Sequence, residues 1–198
     1  MVREQIAARG VADPRVLDAL ATVPREAFVP AELQDQAFED RPLPLGHGQT
    51  ISQPYIVAFM AEALDLGPWD RVLDVGAGCG YAAAVLAKLG AQVHALELLP
   101  ELAAQAEANL RNAGFGFVHL RCGDGSTGWP EAGPFDAIHV GCAAPDVPPA
   151  LLEQLAEGGR LVLPVGEPAG SQWLVRLRKR GGVVSREELL PVAFVPMR

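Results

Sequence analysis

An open, mainly parallel α/β sheet is the architecture this sequence predicts, with a helical cover on its N-terminal side and an antiparallel hairpin closing it. Three observations carry that expectation. From residue 71 onward, short apolar runs alternate with helix-period segments, the β-α-β rhythm of a parallel sheet with right-handed crossovers. The stretch Arg71–Tyr81, RVLDVGAGCGY, passes from an apolar strand pattern through three glycines straight into a helix pattern. Near the C-terminus, two strand-like runs, 173–180 and 187–195, flank Gly181 and Gly182, a pair suited to a tight hairpin turn.

Taken in order, residues 2–9 read as a short helix ended by Gly10. Asp13-Pro14 opens a second, with Asp as N-cap, Pro in the first turn, and Val16, Leu17 and Leu20 on one apolar face; Pro24 ends it. Pro30 opens a third, through Leu33 and Phe38. This part has no strand pattern, so it is expected to cover one end of the sheet. Residues 41–53, RPLPLGHGQTISQ, read as a turn-rich loop carrying His47, Gln49, Thr50 and Ser52. An amphipathic helix over 54–64 follows, with Ile56, Val57, Met60 and Leu64 on one side. On spacing, Ser52 reads as its N-cap, worth about 1 kcal/mol, which leaves a second role open. Gly67-Pro68 is the hinge into the sheet. Then come strand 71–75, helix 81–89, strand 91–96, helix 100–113, strand 117–122, a loop over 123–134, strand 135–140, helix 148–156 and strand 160–165, before the hairpin. The whole reads as one domain over 1–198, with 1–66 as cover and loop and 67–198 as sheet and hairpin.

Composition narrows the function. With 49% hydrophobic and 20% charged residues, the chain is globular with a sizeable core. A net charge of −8 argues against a nucleic-acid partner held through phosphates. The one basic cluster, Arg176, Arg178, Lys179 and Arg180, alternates with apolar residues and reads as the solvent face of an edge strand. Cys79, Cys122 and Cys142 are odd in number and lack C-x-x-C spacing, which predicts reduced thiols and a cytoplasmic location. His47, His94, His119 and His139 lack ligand spacing, so no metal site is expected. No signal-peptide pattern or membrane-length apolar run is present. No helix carries a surplus apolar stripe, which favours a monomer.

The chemistry centres on the glycine turn. A strand, a glycine turn and a helix start make a cofactor seat, because the backbone turns sharply, a ligand can approach it closely, and unpaired N–H groups face the ligand. The dinucleotide fingerprint needs its third glycine where Tyr81 stands; here the glycines are Gly76, Gly78 and Gly80. Asp74, two residues before Gly76, would crowd a pyrophosphate, whereas a cationic ligand such as S-adenosylmethionine tolerates and can use it. Glu97, at the end of the apolar segment 93–96, follows at the roughly 20-residue spacing of an acid that holds ribose hydroxyls. Asp124, within Gly123-Asp124-Gly125, lies past the third strand and suits an adenine amino group, or is simply an Asp-Gly turn. The small residues of 141–145 leave room at the same edge for ligand and substrate, or only pack. Cys79 and Cys142 fall on that edge with no neighbouring base, which disfavours a nucleophilic role.

Five segments together resemble the protein-L-isoaspartate O-methyltransferases, especially the bacterial branch: VPREAFVP (23–30), PLPLGHGQTISQPYIVAFM (42–60), VLDVGAGCGYAAAVLA (72–87), GDGSTGWPEAGPFDAIHVGCAAP (123–145) and GGRLVLPVG (158–166). The QTISQP loop is the most specific piece, since methyltransferases in general share only the glycine turn. The resemblance implies a Rossmann-like, S-adenosylmethionine-dependent methyltransferase sheet of about seven strands. It also implies methyl transfer from S-adenosyl-L-methionine to the α-carboxylate of L-isoaspartyl residues in damaged proteins and peptides. The ester then collapses to a succinimide, and hydrolysis returns some normal aspartyl. Ser52 matches the family's active-site serine. Gln49, Thr50 and Ile51 match its neighbours in the cofactor-contacting loop. Asp74, Gly76, Gly78, Glu97, Asp124 and Gly125 match cofactor positions, with Ala77, Cys79 and Leu98 counted in the same set. The chain departs from the family's usual EIGTGSGYQ at Asp74, Cys79 and Ala82, and carries Cys142 where a small residue is usual. After FVP (194–196) it has only Met197-Arg198, so a threonine-bearing tail seen in some members is expected to be missing or very short. Two other readings share the fold, a small-molecule O-methyltransferase and a non-catalytic relative that binds cofactor or damaged protein. A nicotinamide dehydrogenase is disfavoured by Asp74 and the glycine spacing.

Overall fold

The computed structural model describes residues 1–167 and 170–198. Its centre is a seven-stranded sheet made of β3 (Arg71–Val75), β4 (Gln92–Glu97), β5 (His119–Cys122), β6 (Phe135–Val140), β7 (Leu155–Val165), β8 (Gln172–Arg180) and β9 (Val183–Val192), in the order β5-β4-β3-β6-β7-β8-β9. The five strands from β5 to β7 pair in parallel; β8 is antiparallel to β7 and to β9. Gly181 and Gly182, at φ 59° and 74°, make the two-residue turn between β8 and β9. Both central residues of such a turn need positive φ, which is why the glycine pair was legible.

The central strands read as unbroken apolar runs because both faces are covered. Val72 of β3 belongs to a core shared with α3 (Tyr81–Lys88) and with α2 (Pro54–Leu64) and α1 (Pro14–Thr22) of the N-terminal cover. Its neighbours Leu73 and Val75 point the other way, into a core with Phe135, Leu151 and Leu161. Asp74 therefore shares the face of Val72, beneath the cover. α4 (Pro100–Asn112) links β4 to β5, and the short α5 (Pro149–Glu153) precedes β7. Chain order reverses at the β3/β6 pair: β4 and β5 step outward on one side, β6 and β7 on the other. A crevice at the C-terminal ends of these strands is the consequence.

Several local expectations are corrected. Residues 41–53 contain an antiparallel hairpin, β1 (Leu43–Gly46) and β2 (Gln49–Ile51), turned by His47 at φ 53° and Gly48 at φ 71°. Pro44 disguised the strand, since proline is tolerated only where no ladder N–H is needed. Ser52 is not the N-cap of α2. Pro54 takes the first helical position, Gln53 is the cap residue, and the Tyr55 N–H donates instead to Asp40 Oδ1 at 3.2 Å. Asp13 does cap α1, its Oδ1 accepting from Arg15 N at 2.8 Å. Residues 25–28 and 31–36 form 3-10 turns. α5 is shorter than expected, because Leu155 already pairs with Phe135. β9 begins at Val183 rather than 187. The basic cluster lies on β8, which is interior to the sheet; β9 is the edge. Arg176 there meets Glu187 at 2.6 Å, and Lys179 donates to the Leu155 carbonyl at 2.8 Å.

Candidate active site

β3 delivers the chain to the crevice at Val75, and Gly76 turns it back at φ 77°. The turn is fixed by backbone: Gly76 N and Ala77 N donate to the Leu96 carbonyl at 2.9 and 3.0 Å. Glu97, buried at the end of β4, accepts from Gly78 N at 2.8 Å through Oε2 and from Leu99 N at 3.0 Å through Oε1. Each of its oxygens keeps a lone pair for a ligand hydroxyl. Across the switch point Gly141 follows β6 and donates to the Val75 carbonyl at 2.7 Å. A Cβ on Gly141 would stand 2.9 Å from the Gly76 carbonyl oxygen, so only glycine fits that approach. The result is a cleft lined by Gly76, Gly78, Glu97, Leu98 and Gly125, together with Gln49, Thr50 and residues 195–198.

Behind the turn, Asp74 is fully buried. Its Oδ1 lies 2.6 Å from Nδ1 of His139, its direct register partner on β6, and its Oδ2 has no protein partner. Burial pushes the Cys79 thiol up to about 11 and the Cys142 thiol up to about 12, so neither is a nucleophile at neutral pH.

A second groove, lined by Arg9, Pro42, Gln53, Ile56 and the end of β9 through Val195, opens beside the cleft. Thr50 and Gly141 line both cavities. Ser52 lines the groove and a small recess that it shares with His139, Met60 and the glycine turn. The segment from Ser52 to Tyr55 is tied down by the N-terminal cover. Arg25 Nη2 donates to the Ser52 carbonyl at 2.8 Å, and Gln53 Nε2 donates to Asp40 at 2.9 Å. Arg9 reaches Asp40 Oδ2 at 2.7 Å and stacks 3.5 Å above the Tyr55 ring.

Of the residues singled out from the sequence, Gln49, Thr50, Gly76, Gly78, Glu97, Leu98 and Gly125 meet at the cleft, while Ser52, two residues after Thr50, lines the groove and the recess. Ile51, Ala77 and Cys79 are buried and line the recess behind the turn, not the cleft; Cys79 also lines a pocket with Phe28 and Asn109. Asp74 lies behind the turn and not in the cleft. Asp124 is exposed, and its Oδ1 caps its own turn through Ser126 N at 2.8 Å, so the local-turn reading describes that oxygen. Sequence reasoning missed His139, Asp40 and Arg25. The available signal for Arg25 was a lone arginine within the apolar VPREAFVP. Among the described residues no group of three or more His, Cys, Asp or Glu is placed to hold a metal, and no helix is long and apolar enough to cross a membrane.

A mainly parallel seven-stranded sheet with β8 reversed, a glycine turn at its switch point and an acid ending the next strand defines the class of S-adenosylmethionine-dependent methyltransferases. Within it, the chain belongs to the protein-L-isoaspartate(D-aspartate) O-methyltransferase family, whose model matches residues 1–198. It is similar to protein-L-isoaspartate O-methyltransferase 2 of Marinobacter nauticus, 56% identical over 100% of this chain and 90% of that protein. A protein-L-isoaspartate O-methyltransferase of Methylorubrum populi is 57% identical over 100% of this chain and 92% of its own length. Among solved structures, a Plasmodium falciparum chain assigned to the same enzymes, in complex with S-adenosyl-L-homocysteine, matches with a TM-score of 0.86 at 27% identity, covering 100% of this chain and 96% of that one.

Proposed function

We propose that this chain is a protein-repair methyltransferase that moves a methyl group from S-adenosyl-L-methionine to the α-carboxylate of L-isoaspartyl residues in damaged proteins and peptides. The observation that carries the reading is the junction: the glycine-walled cleft and the open groove share Thr50 and Gly141, with Ser52 beside them. One cavity suits a cofactor, and the other, open along the end of β9, suits a peptide.

The residues present fit the cofactor. Glu97 offers free lone pairs for ribose hydroxyls, and Gly78 and Leu98 supply close backbone and an apolar surface. The buried Asp74 carboxyl, with one oxygen unpartnered, suits a cationic ligand beyond the turn. S-adenosylmethionine supplies an electrophilic methyl group on a sulfonium, a good leaving group. The protein's own task is positioning. A carboxyl group with an ordinary pKa of about 4 is already ionised at neutral pH and needs no general base. What it needs is orientation and loss of water. The Ser52 and Thr50 hydroxyls serve that by donating to the carboxylate. Ser52 is free to do so because Asp40, not Ser52, caps α2.

The same reading takes residues 1–198 as one domain acting as a monomer in the cytoplasm on protein and peptide substrates, with no nucleic-acid or membrane partner. The test is transfer of labelled methyl from S-adenosylmethionine to a short isoaspartyl peptide, with the matching aspartyl peptide as control. Transfer to the isoaspartyl peptide alone is expected. Transfer to neither, with cofactor binding intact, would sink the assignment.

A further inference from the structure

Among the described residues one cationic side chain has no exposed surface at all. Arg25, in the turn Arg25–Phe28, is fully buried. Among the described residues no carboxylate pairs with it; its partners are backbone carbonyls. Nε donates to Ala37 O at 2.7 Å and Nη2 to Ser52 O at 2.8 Å. The guanidinium carbon sits 4.8 Å from the ring centroid of Tyr81, the first residue of α3 after the glycine turn. One side chain thus touches three things: the cover, the segment carrying Ser52, and the helix that begins where the cofactor wall ends.

The Ser52 carbonyl also needs an outside donor. The first α2 bond, from Val57 N, goes to Gln53, one residue later, so Ser52 lies beyond the helix ladder. Downstream, Asp40 anchors Gln53 and Tyr55; upstream, β2 ends at Ile51. Arg25 closes the gap between these two anchors. A buried guanidinium with only neutral partners is a costly way to fill space, since apolar side chains of similar volume do so more cheaply. A rigid planar fork, by contrast, fixes two acceptors at once.

We infer that Arg25 is a positioning residue for methyl transfer: its fork sets the Ser52 backbone against the start of α3, and so aims the Ser52 hydroxyl at the meeting point of cleft and groove. The inference rests on the role given to Ser52 above. Lysine keeps the charge but loses the fork, so Arg25→Lys is the discriminating variant.

The experiment is a double-mutant cycle of Arg25→Lys and Ser52→Ala, read as kcat and KM with an isoaspartyl peptide and as S-adenosylhomocysteine affinity. Arg25→Lys is expected to lower kcat about tenfold and leave S-adenosylhomocysteine affinity within about threefold; in the Ser52→Ala background it should cost less than about twofold. Amide exchange over residues 50–53 should quicken in Arg25→Lys alone. Should Arg25→Lys fail to keep the wild-type circular dichroism, Arg25→Gln, which retains an N–H donor group without the charge, takes its place in the cycle. Losses that multiply fully, or exchange that stays unchanged, would make Arg25 a fold staple and overturn the inference while Ser52 keeps its role. A neutral Ser52→Ala would remove Ser52 from the reaction and this inference with it.

Discussion

From Val75 to Leu99, the glycine-turn wall is held by its own backbone and by one side chain, Glu97. Gly76, Ala77, Gly78 and Leu99 all spend their N–H groups within this stretch, on the Leu96 carbonyl or the Glu97 carboxylate. The opposing segment, Ser52 to Tyr55, is held from outside the sheet. Its bonds run to Arg25, 27 positions away from Ser52, and to Asp40, 13 and 15 positions from Gln53 and Tyr55. The first wall belongs to the sheet itself, its bonds joining the ends of the adjacent parallel strands β3 and β4. The second depends on the docking of the N-terminal cover. Substitutions should therefore separate the two: cofactor affinity follows the first wall, and turnover follows the second.

The largest expected effect lies at the junction. Ser52→Ala should lower turnover roughly 100-fold, the scale on which loss of reactant alignment acts, while cofactor affinity by calorimetry stays within about threefold. Unchanged turnover would take Ser52 out of the mechanism and erase the division between the walls. On the other side, Glu97→Ala strips the acceptor from two backbone donors and from the ligand. Cofactor affinity should fall about 10- to 100-fold, at roughly 1 to 3 kcal/mol for a lost charged hydrogen bond, with peptide KM nearly unmoved at saturating cofactor. A comparable rise in both constants would mean that the walls are not independent.

Asp40→Ala probes the dependence on the cover. It removes the acceptor for Tyr55 N, Gln53 and Arg9, and should cost about 1 to 3 kcal/mol in urea unfolding. It should also slow turnover without weakening cofactor binding; an unaltered urea midpoint would show that Asp40 does not hold the segment. The smallest effect concerns alkaline stability. The Cys79 and Cys142 thiols sit above their ordinary 9.0, at about 11 and about 12, so the unfolded chain ionises first. Their contribution is complete below pH 9.0 and is lost as pH rises through those folded values. The urea midpoint of the Cys79→Ala, Cys142→Ala double variant should fall less steeply above pH 9.0 than that of the wild type, and parallel slopes would contradict the burial effect.

Much of this contrast was legible in advance, for reasons that follow the same division. Strands β3 to β7, the glycine turn, Glu97 and the Gly181-Gly182 hairpin all rest on local patterns: apolar runs buried on both faces, positive φ at glycine, and an acid at a fixed offset. β1 and β2 were not legible, because Pro44 and the His47-Gly48 turn lack the usual hairpin signature. Nor was the interior place of the arginine-bearing strand β8, where Arg176 pairs across to Glu187 of β9 and Lys179 donates to backbone carbonyls.

The sequence by itself determined the fold class, from the alternation of apolar runs and helix-period segments, and the glycine turn and the segment that carries Ser52, from a few consecutive residues each. Only the tertiary structure decided that Asp40 caps α2 in place of Ser52, that Asp74 faces His139, and that Arg25 lies buried against the Ser52 carbonyl. Those are pairings between distant positions. Chain periodicity is blind to them, because a hydrogen bond across the fold depends on where the cover docks and not on any spacing along the chain.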